Sequence, residues 1–326
     1  MSIGLGIIGC GLIGHKRAQA LESSFKLVSC YDAFRDRAER LAKDHRAQAS
    51  FSVSALLQDP RVRAVVISTL HDSLASLTLA AVRAGKDVLV EKPAARSARE
   101  LLPVIAAAKK ARVQVRVGYN HRYHRAFRKA REIVEAGKLG PLMMIRARYG
   151  HGGRLGYEKE WRADPKKSGG GELIDQGVHL IDLGRWFLGD FKKVEGFAQT
   201  LFWKMPVDDN AFMLLRTKKG QTASLHASCT EWKNLFSFEI YGRIGKLHIE
   251  GLGGSYGLER LTWYRMLPQM GPPETKAWEF PRGDDSWEME MKDFALDIRL
   301  RRNPRPGLKD TLEALRIVDT IYRKSK

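Results

Sequence analysis

The sequence predicts an α/β protein: a doubly wound parallel sheet over residues 1–120, then a second α/β domain, residues 121–326, built on a large open, mostly antiparallel sheet. Three observations carry that expectation. Continuous apolar runs alternate with helical patterns through the first 120 residues, as strands buried on both faces require. The first of these runs opens into a glycine-rich turn. From about residue 142 the texture changes to strands of alternating polarity divided by turn signals, which suits antiparallel pairing.

Taken in order, IGLGII (3–8) is a strand, GCGLIG a turn, and residues 15–23 a helix. LVSCYD (27–32) is the next strand, followed by a charged helix to Asp44 and the strand AVVIST (64–69). Asp72 stands where it would cap a helix in which Leu74, Leu77 and Ala81 keep helical spacing, and Arg83 and Gly85 sit where helices stop. DVLVE (87–91) is a strand that Pro93 must end, because proline cannot donate to a sheet ladder. Ser97 and Glu100 read as a capping box for a helix to Ala111, before the strand QVRVG (114–118).

In the second domain MMIRARY (143–149), FMLLRT (212–217), TASLHAS (222–228) and FSFEIYG (236–242) read as strands, interrupted by a glycine-led helix over 171–188. An amphipathic helix near 308–323, with Leu312, Leu315, Ile317 and Ile321 on one side, closes the pattern and is expected to pack back on the first domain.

Composition limits the function classes. With 326 residues and 44% hydrophobic content the chain can build two cores. Its apolar start lacks a basic leader and runs into glycines, and no apolar run approaches membrane-spanning length, so neither secretion nor membrane insertion is expected. Cys10, Cys30 and Cys229 are scattered without a CxxC, which suggests neither a disulfide framework nor a zinc site and fits a reducing cytoplasm. The 56 Lys and Arg against 37 Asp and Glu give a net charge of +19. The densest basic cluster, Arg299, Arg301 and Arg302, is short, and no aromatics alternate with the basic residues. A solvated surface that steers phosphorylated small molecules is therefore favoured over nucleic-acid binding.

Three local patterns carry chemistry. Gly9, Gly11 and Gly14, with Cys10, Leu12 and Ile13 between them, form GxGxxG directly after a strand and at a helix start, and Asp32 ends the second strand. Such a turn exposes backbone N–H groups to a pyrophosphate, and the acid suits a ribose diol, so NAD is the expected cofactor; Arg35 and Arg37 keep NADP open. In GGGELIDQGVHLID (169–182), Asp175, His179 and Asp182 lie at i, i+4 and i+7 on one helical face. An imidazole with a carboxylate one turn away suits proton transfer at a carbonyl or carbinol, and a surface histidine capped by an acid is the alternative. No third ligand is signalled nearby, so no metal site is expected. Finally, Glu91 and Lys92 leave a buried strand at the sheet edge where ligands bind. There the lysine could hydrogen bond a substrate oxygen and stabilise developing alkoxide, or it could be a strand-end charge.

GCGLIG, VLVEKP and GGGELIDQGVHLID at these intervals resemble the Gfo/Idh/MocA oxidoreductases over essentially the whole chain. The resemblance implies an N-terminal Rossmann domain and a C-terminal domain whose open sheet often forms the oligomer interface, here of a homodimer or homotetramer. It implies hydride transfer between NAD(H) and a carbinol or keto carbon of a sugar, nucleotide-linked sugar or cyclitol. Lys92, Asp175 and His179 match the catalytic set, with His179 as acid/base, Lys92 as hydroxyl anchor and Asp175 as the positioning or tuning group. Ser68, Thr69, Glu91, Lys92 and the segment Gly9 to Gly14 match cofactor-contacting positions. The run from Thr69 to Leu74 departs from the family's usual TPxxxH.

GYNHRYH resembles the pocket-lining segment, which makes Asn120, Arg122 and Tyr123 candidate substrate contacts, joined by Trp161 and Arg162. An arginine there suits a phosphate or carboxylate and, with the basic surface, tilts the expectation towards a nucleotide-linked or acidic sugar; structural salt bridges explain the two arginines equally well. Two other functions stay in view: a retained-NAD enzyme driving elimination or glycoside cleavage, and a non-catalytic NAD-sensing protein.

Overall fold

The computed structural model describes residues 2–325. By compactness the chain divides into two units, Met1–Asn120 with Trp287–Glu313, and His121–Ser286 with Ala314–Lys326.

In the first unit β1 (Ile3–Ile8), β2 (Phe25–Tyr31), β3 (Gln48–Ala49), β4 (Ala64–Ile67), β5 (Asp87–Glu91) and β6 (Val115–Gly118) form one sheet in the order β3-β2-β1-β4-β5-β6. Every pairing is parallel. The connecting helices are α1 (Leu12–Gln19), α2 (Arg35–His45), α3 (Val53–Gln58), α4 (His71–Arg83) and α5 (Ala98–Ala111). Strand order reverses between β1 and β4, where open parallel sheets bind ligands.

Several boundaries move from their expected places. Helix α1 begins at Leu12, inside the glycine turn, and ends at Gln19, so it opens earlier and stops sooner than 15–23. Helix α4 starts after Leu70 with no side-chain cap; Asp72 lies in its first turn, favourably placed for the helix dipole, but it is not the cap. Half of the expected capping box forms at α5. Ser97 Oγ accepts from the Glu100 N–H at 3.4 Å, while the Glu100 carboxylate turns to the Arg96 N–H at 3.0 Å and guanidinium at 2.7 Å.

The segment 287–313, which a division at residue 120 assigns to the second half, lies in the first unit. The reason is apolar: Met291, Phe294, Ala295 and Ile298 of α9 (Ser286–Leu300) join the core around β1 and β2, with Phe294 stacked on Phe25 at 5.6 Å.

The second unit holds an eight-stranded sheet of β7 (Leu142–Gly150), β8 (Phe191–Gln199), β9 (Asn210–Thr217), β10 (Thr222–Ser228), β11 (Leu235–Gly242), β12 (Gly245–Glu250), β13 (Glu259–Arg265) and β14 (Glu274–Phe280). Its order is β14-β13-β12-β11-β7-β10-β9-β8, antiparallel except where β7 and β10 run parallel. Alternation separates its faces. Ile145, Ala147, Met213, Leu215, Leu225, Phe238 and Ile240 are buried, whereas Met144, Phe197 and Leu214 are exposed. Helices α6 (Arg125–Glu135), α7 (Pro165–Ser168) and α8 (Val178–Leu188) belong to this unit, and α10 (Leu308–Lys324) contributes its residues from 314 onward. The expected helix over 171–188 is interrupted: Leu173–Gly177 widens into a π-turn before α8, and π-turn and α8 lie against β7 and β10. Among the described residues no helix is long and apolar enough to cross a membrane.

Candidate active site

The glycine turn of the first unit is sterically obligatory. Gly9 has φ +97°, and a Cβ there would lie 2.5 Å from Ser68 O; a Cβ on Gly14 would lie 2.1 Å from Gly9 O. Gly11 differs, since a Cβ on it would meet nothing within 4 Å, leaving the backbone open to a close-fitting ligand. The loop is tied at both ends. Ser68 Oγ donates to Gly9 O at 2.8 Å, and Asp32 accepts the Cys10 N–H at 2.7 Å and the Phe34 N–H at 2.9 Å. Leu12 is exposed, Ile13 half-buried, and Thr69 Oγ1 accepts from Ser73 Oγ at 2.8 Å. Of the two arginines that kept NADP open, Arg35 pairs with Glu39 at 2.7 Å and Arg37 lies over the Phe34 ring at 4.4 Å.

At the end of β5, Glu91 is buried and accepts from Arg17 of α1: Nε at 2.7 Å and Nη2 at 2.5 Å, both to Oε1. Lys92 follows it, half-buried. Asn120, just beyond β6, is buried.

In the second unit His179 is not a surface histidine. It is 3% exposed, and its ring stacks on His121 with centroids 3.8 Å apart and planes 16° apart. Tyr149 packs edge-on at 6.2 Å, and Tyr256 stands 5.2 Å from Tyr149. Asp175 accepts from Arg162 Nε at 2.9 Å, while Asp182 takes both prongs of Arg122 at 2.7 and 2.6 Å. Both arginines singled out as substrate contacts are thus engaged in ion pairs, the alternative the sequence left open. Arg162 also lies over the Trp161 ring at 4.6 Å, and Tyr123 is buried. The helix expected to run unbroken through Asp175 is a π-turn over Leu173–Gly177, and only His179 and Asp182 lie on α8.

Three groups of the second unit escaped the sequence reading. Asp208 is buried and organises the GGG segment, accepting the N–H groups of Gly171 at 2.8 Å and Leu173 at 2.7 Å and the Tyr322 hydroxyl at 2.8 Å. The doublet Asp208-Asp209 ahead of a strand was the available signal. His121, inside GYNHRYH, carries no signal in the sequence that separates it from its neighbours. Glu172 accepts the Tyr157 hydroxyl at 2.9 Å with the His151 ring nitrogen 3.6 Å away.

Burial, reinforced by the Asp175 charge, pushes the Glu172 carboxyl up to about 8 from its ordinary 4.5. The folded protein therefore holds a proton there that the unfolded chain releases, and stability falls as pH rises between those values. The size is on the order of a few kcal/mol, at about 1.4 kcal/mol per unit. Glu172→Gln is expected to flatten this decline in melts run from acid to mildly alkaline pH; equal slopes for both proteins would refute the protonated acid.

Comparison with known proteins agrees with this architecture. The sequence model described as "Oxidoreductase family, NAD-binding Rossmann fold" matches residues 3–119, and the "GFO/IDH/MocA C-terminal domain" matches 127–248. Inositol 2-dehydrogenase 2 of Saccharopolyspora erythraea is 28% identical over 233 residues, 68% of this chain and 65% of that protein. The inositol 2-dehydrogenase of Gluconacetobacter diazotrophicus likewise matches over 65% of its length, so the chain spans just under two thirds of these two relatives. The scyllo-inositol 2-dehydrogenase (NAD(+)) of Bacillus subtilis is 27% identical, over 91% of this chain and 86% of that one. Levoglucosan dehydrogenase in complex with NADH superposes with a TM-score of 0.90 at 21% identity, covering 98% of this chain and 96% of that one, a likeness of fold. With its two domain models matched in order, the chain belongs to the GFO/IDH/MocA oxidoreductase family, whose first domain is an NAD-binding Rossmann fold.

Proposed function

We propose that the protein is an NAD(H)-dependent oxidoreductase acting on a carbinol or keto carbon of a polyhydroxylated ring, a cyclitol or sugar. The observation that carries this reading is the buried His179, held against His121 one helical turn beyond an arginine-tied carboxylate, in a chain that also builds a glycine turn open at Gly11. That turn fits a dinucleotide: Gly9 and Gly14 admit no side chain, and Asp32 stands beside the Cys10 N–H for a ribose diol. A bound nicotinamide supplies or accepts the hydride.

The chain's own residues do the rest. His179 moves the hydroxyl proton, Lys92 donates a hydrogen bond to the substrate oxygen and stabilises its alkoxide character, and Asp175, its charge balanced by Arg162, positions the imidazole. Ser68 and Thr69 shape the cofactor loop, and Asn120, Tyr123 and Trp161 are the polar and aromatic candidates for ring contacts. With Arg122 and Arg162 already paired to carboxylates, a neutral polyol is favoured, in keeping with the inositol and levoglucosan named for the relatives. The +19 charge supports nucleotide-linked sugars as the second class. The exposed Met144, Phe197 and Leu214 on the open sheet face support self-association there, and three buried free thiols suit a reducing cytoplasm.

The test is a panel of inositols, anhydrosugars, free sugars and nucleotide-linked sugars, followed by NADH absorbance. A rise with NAD and at least one polyol is expected. Product without net NADH would transfer support to the retained-cofactor alternative, and turnover with NADP alone would overturn the role given to Asp32.

A further inference from the structure

We propose that Arg17 is a positioning residue. Its guanidinium, shared by Glu91 and Glu290, ties the helix of the glycine turn to the strand end that presents Lys92, and so sets where that ammonium stands. The inference rests on the reading of Lys92 given above. Arg17 is 0% exposed and meets two carboxylates, Glu91 Oε1 at 2.5 Å and Glu290 Oε2 at 2.7 Å, each from Nη2. Trp287 covers the guanidinium, its ring centre 4.5 Å from Cζ. Space for the pair is reserved by Gly118 of β6, which is in register with Glu91: a Cβ there would lie 2.7 Å from Arg17 Nη2 and 2.9 Å from Glu91 Oε1. Four pieces of chain therefore meet at one guanidinium: α1, the ends of β5 and β6, and the first turns of α9.

Buried ion clusters are a poor source of stability, because desolvation offsets much of the attraction. What this one contributes is geometry. Glu91 immediately precedes Lys92, so the forked Arg17–Glu91 contact fixes the backbone from which the lysine departs. Burial pushes the Glu290 carboxyl up to about 7, with Arg17 and Arg116 pulling it down and Glu91 pushing it up. The sequence pattern marked Glu91 as a cofactor contact, and the structure spends one of its oxygens on this strut.

Arg17→Met is expected to lower kcat about 10- to 100-fold, the scale of a misplacement near 1 Å, while NAD affinity stays within about threefold, because the glycine loop keeps its own ties at Asp32 and Ser68. Arg17→Lys keeps the charge without the fork and should recover part of the loss. The triple variant Arg17→Met, Glu91→Gln, Glu290→Gln removes the unbalanced charge, so it should melt near wild type and still turn over slowly. Independently of turnover, the rate at which an amine-reactive reagent labels Lys92, read by peptide mass spectrometry, should differ severalfold between wild type and the triple variant, with other lysines unchanged.

A folded Arg17→Met or triple variant with kcat within twofold of wild type, or with unchanged Lys92 labelling, would overturn the inference. An inactive wild type whose Lys92 labelling still responds to Arg17 would instead count against the assigned function.

Discussion

Replacing His179 with alanine is expected to lower kcat by about 10²–10⁴, the range of a positioned general acid–base, while leaving NAD binding within a fewfold of wild type. The residue is 3% exposed and its ring is stacked on His121, so its removal takes away both the proposed proton carrier and a packed surface. His179→Asn, a smaller polar side chain, keeps the backbone and part of the volume, and it should be as inactive as the alanine variant while melting closer to wild type. Steady-state kinetics beside a fluorescence titration of NADH separate the two effects. An alanine variant that turns over at more than a tenth of the wild-type rate would remove His179 from the chemistry.

Lys92→Met is expected to cost about 10²–10³ in kcat, the loss seen when one preorganised donor to a developing oxyanion is removed. Methionine keeps the length and apolar stem of lysine, so the packing at the end of β5 is disturbed least. The neighbouring Arg17–Glu91 pair is untouched by the change. Cofactor affinity measured by the same titration should move little. A loss confined to KM, with kcat preserved, would make Lys92 a binding group only.

Much of the first unit was legible because period and punctuation agree there: short apolar runs bounded by turn and cap signals read as strands covered on both faces, and the glycine turn falls between strand and helix. The strands of the second unit were legible by alternation, and TASLHAS matches β10 residue for residue. What escaped has physical causes. β3 is two residues long, too short for any pattern, and β14 is mostly exposed, so neither offers an apolar signal. Helix α9 has an ordinary amphipathic pattern that says nothing of which core it joins; Phe294 reaching Phe25 is a long-range fact.

At the site the residue types were readable and the pairings were not. Spacing put Asp175 and Asp182 on one helix with a histidine, but it could not show the π-turn at Leu173–Gly177 or the arginines, Arg162 and Arg122, that the two carboxylates hold. Arg17 sat in an unremarked helical turn, and only folding shows it holding Glu91.

In the proposed function this chain moves a hydride to or from a substrate carbon, with His179 and Lys92 assigned to the oxygen on it. The most direct measurement repeats the panel assay with the active polyol carrying deuterium on its carbinol carbon and follows the label by mass spectrometry. Deuterium is expected on the reduced nicotinamide, together with a slower reaction that His179→Ala and Lys92→Met suppress. Product formed while the label washes into solvent, with none on the nicotinamide, would contradict it.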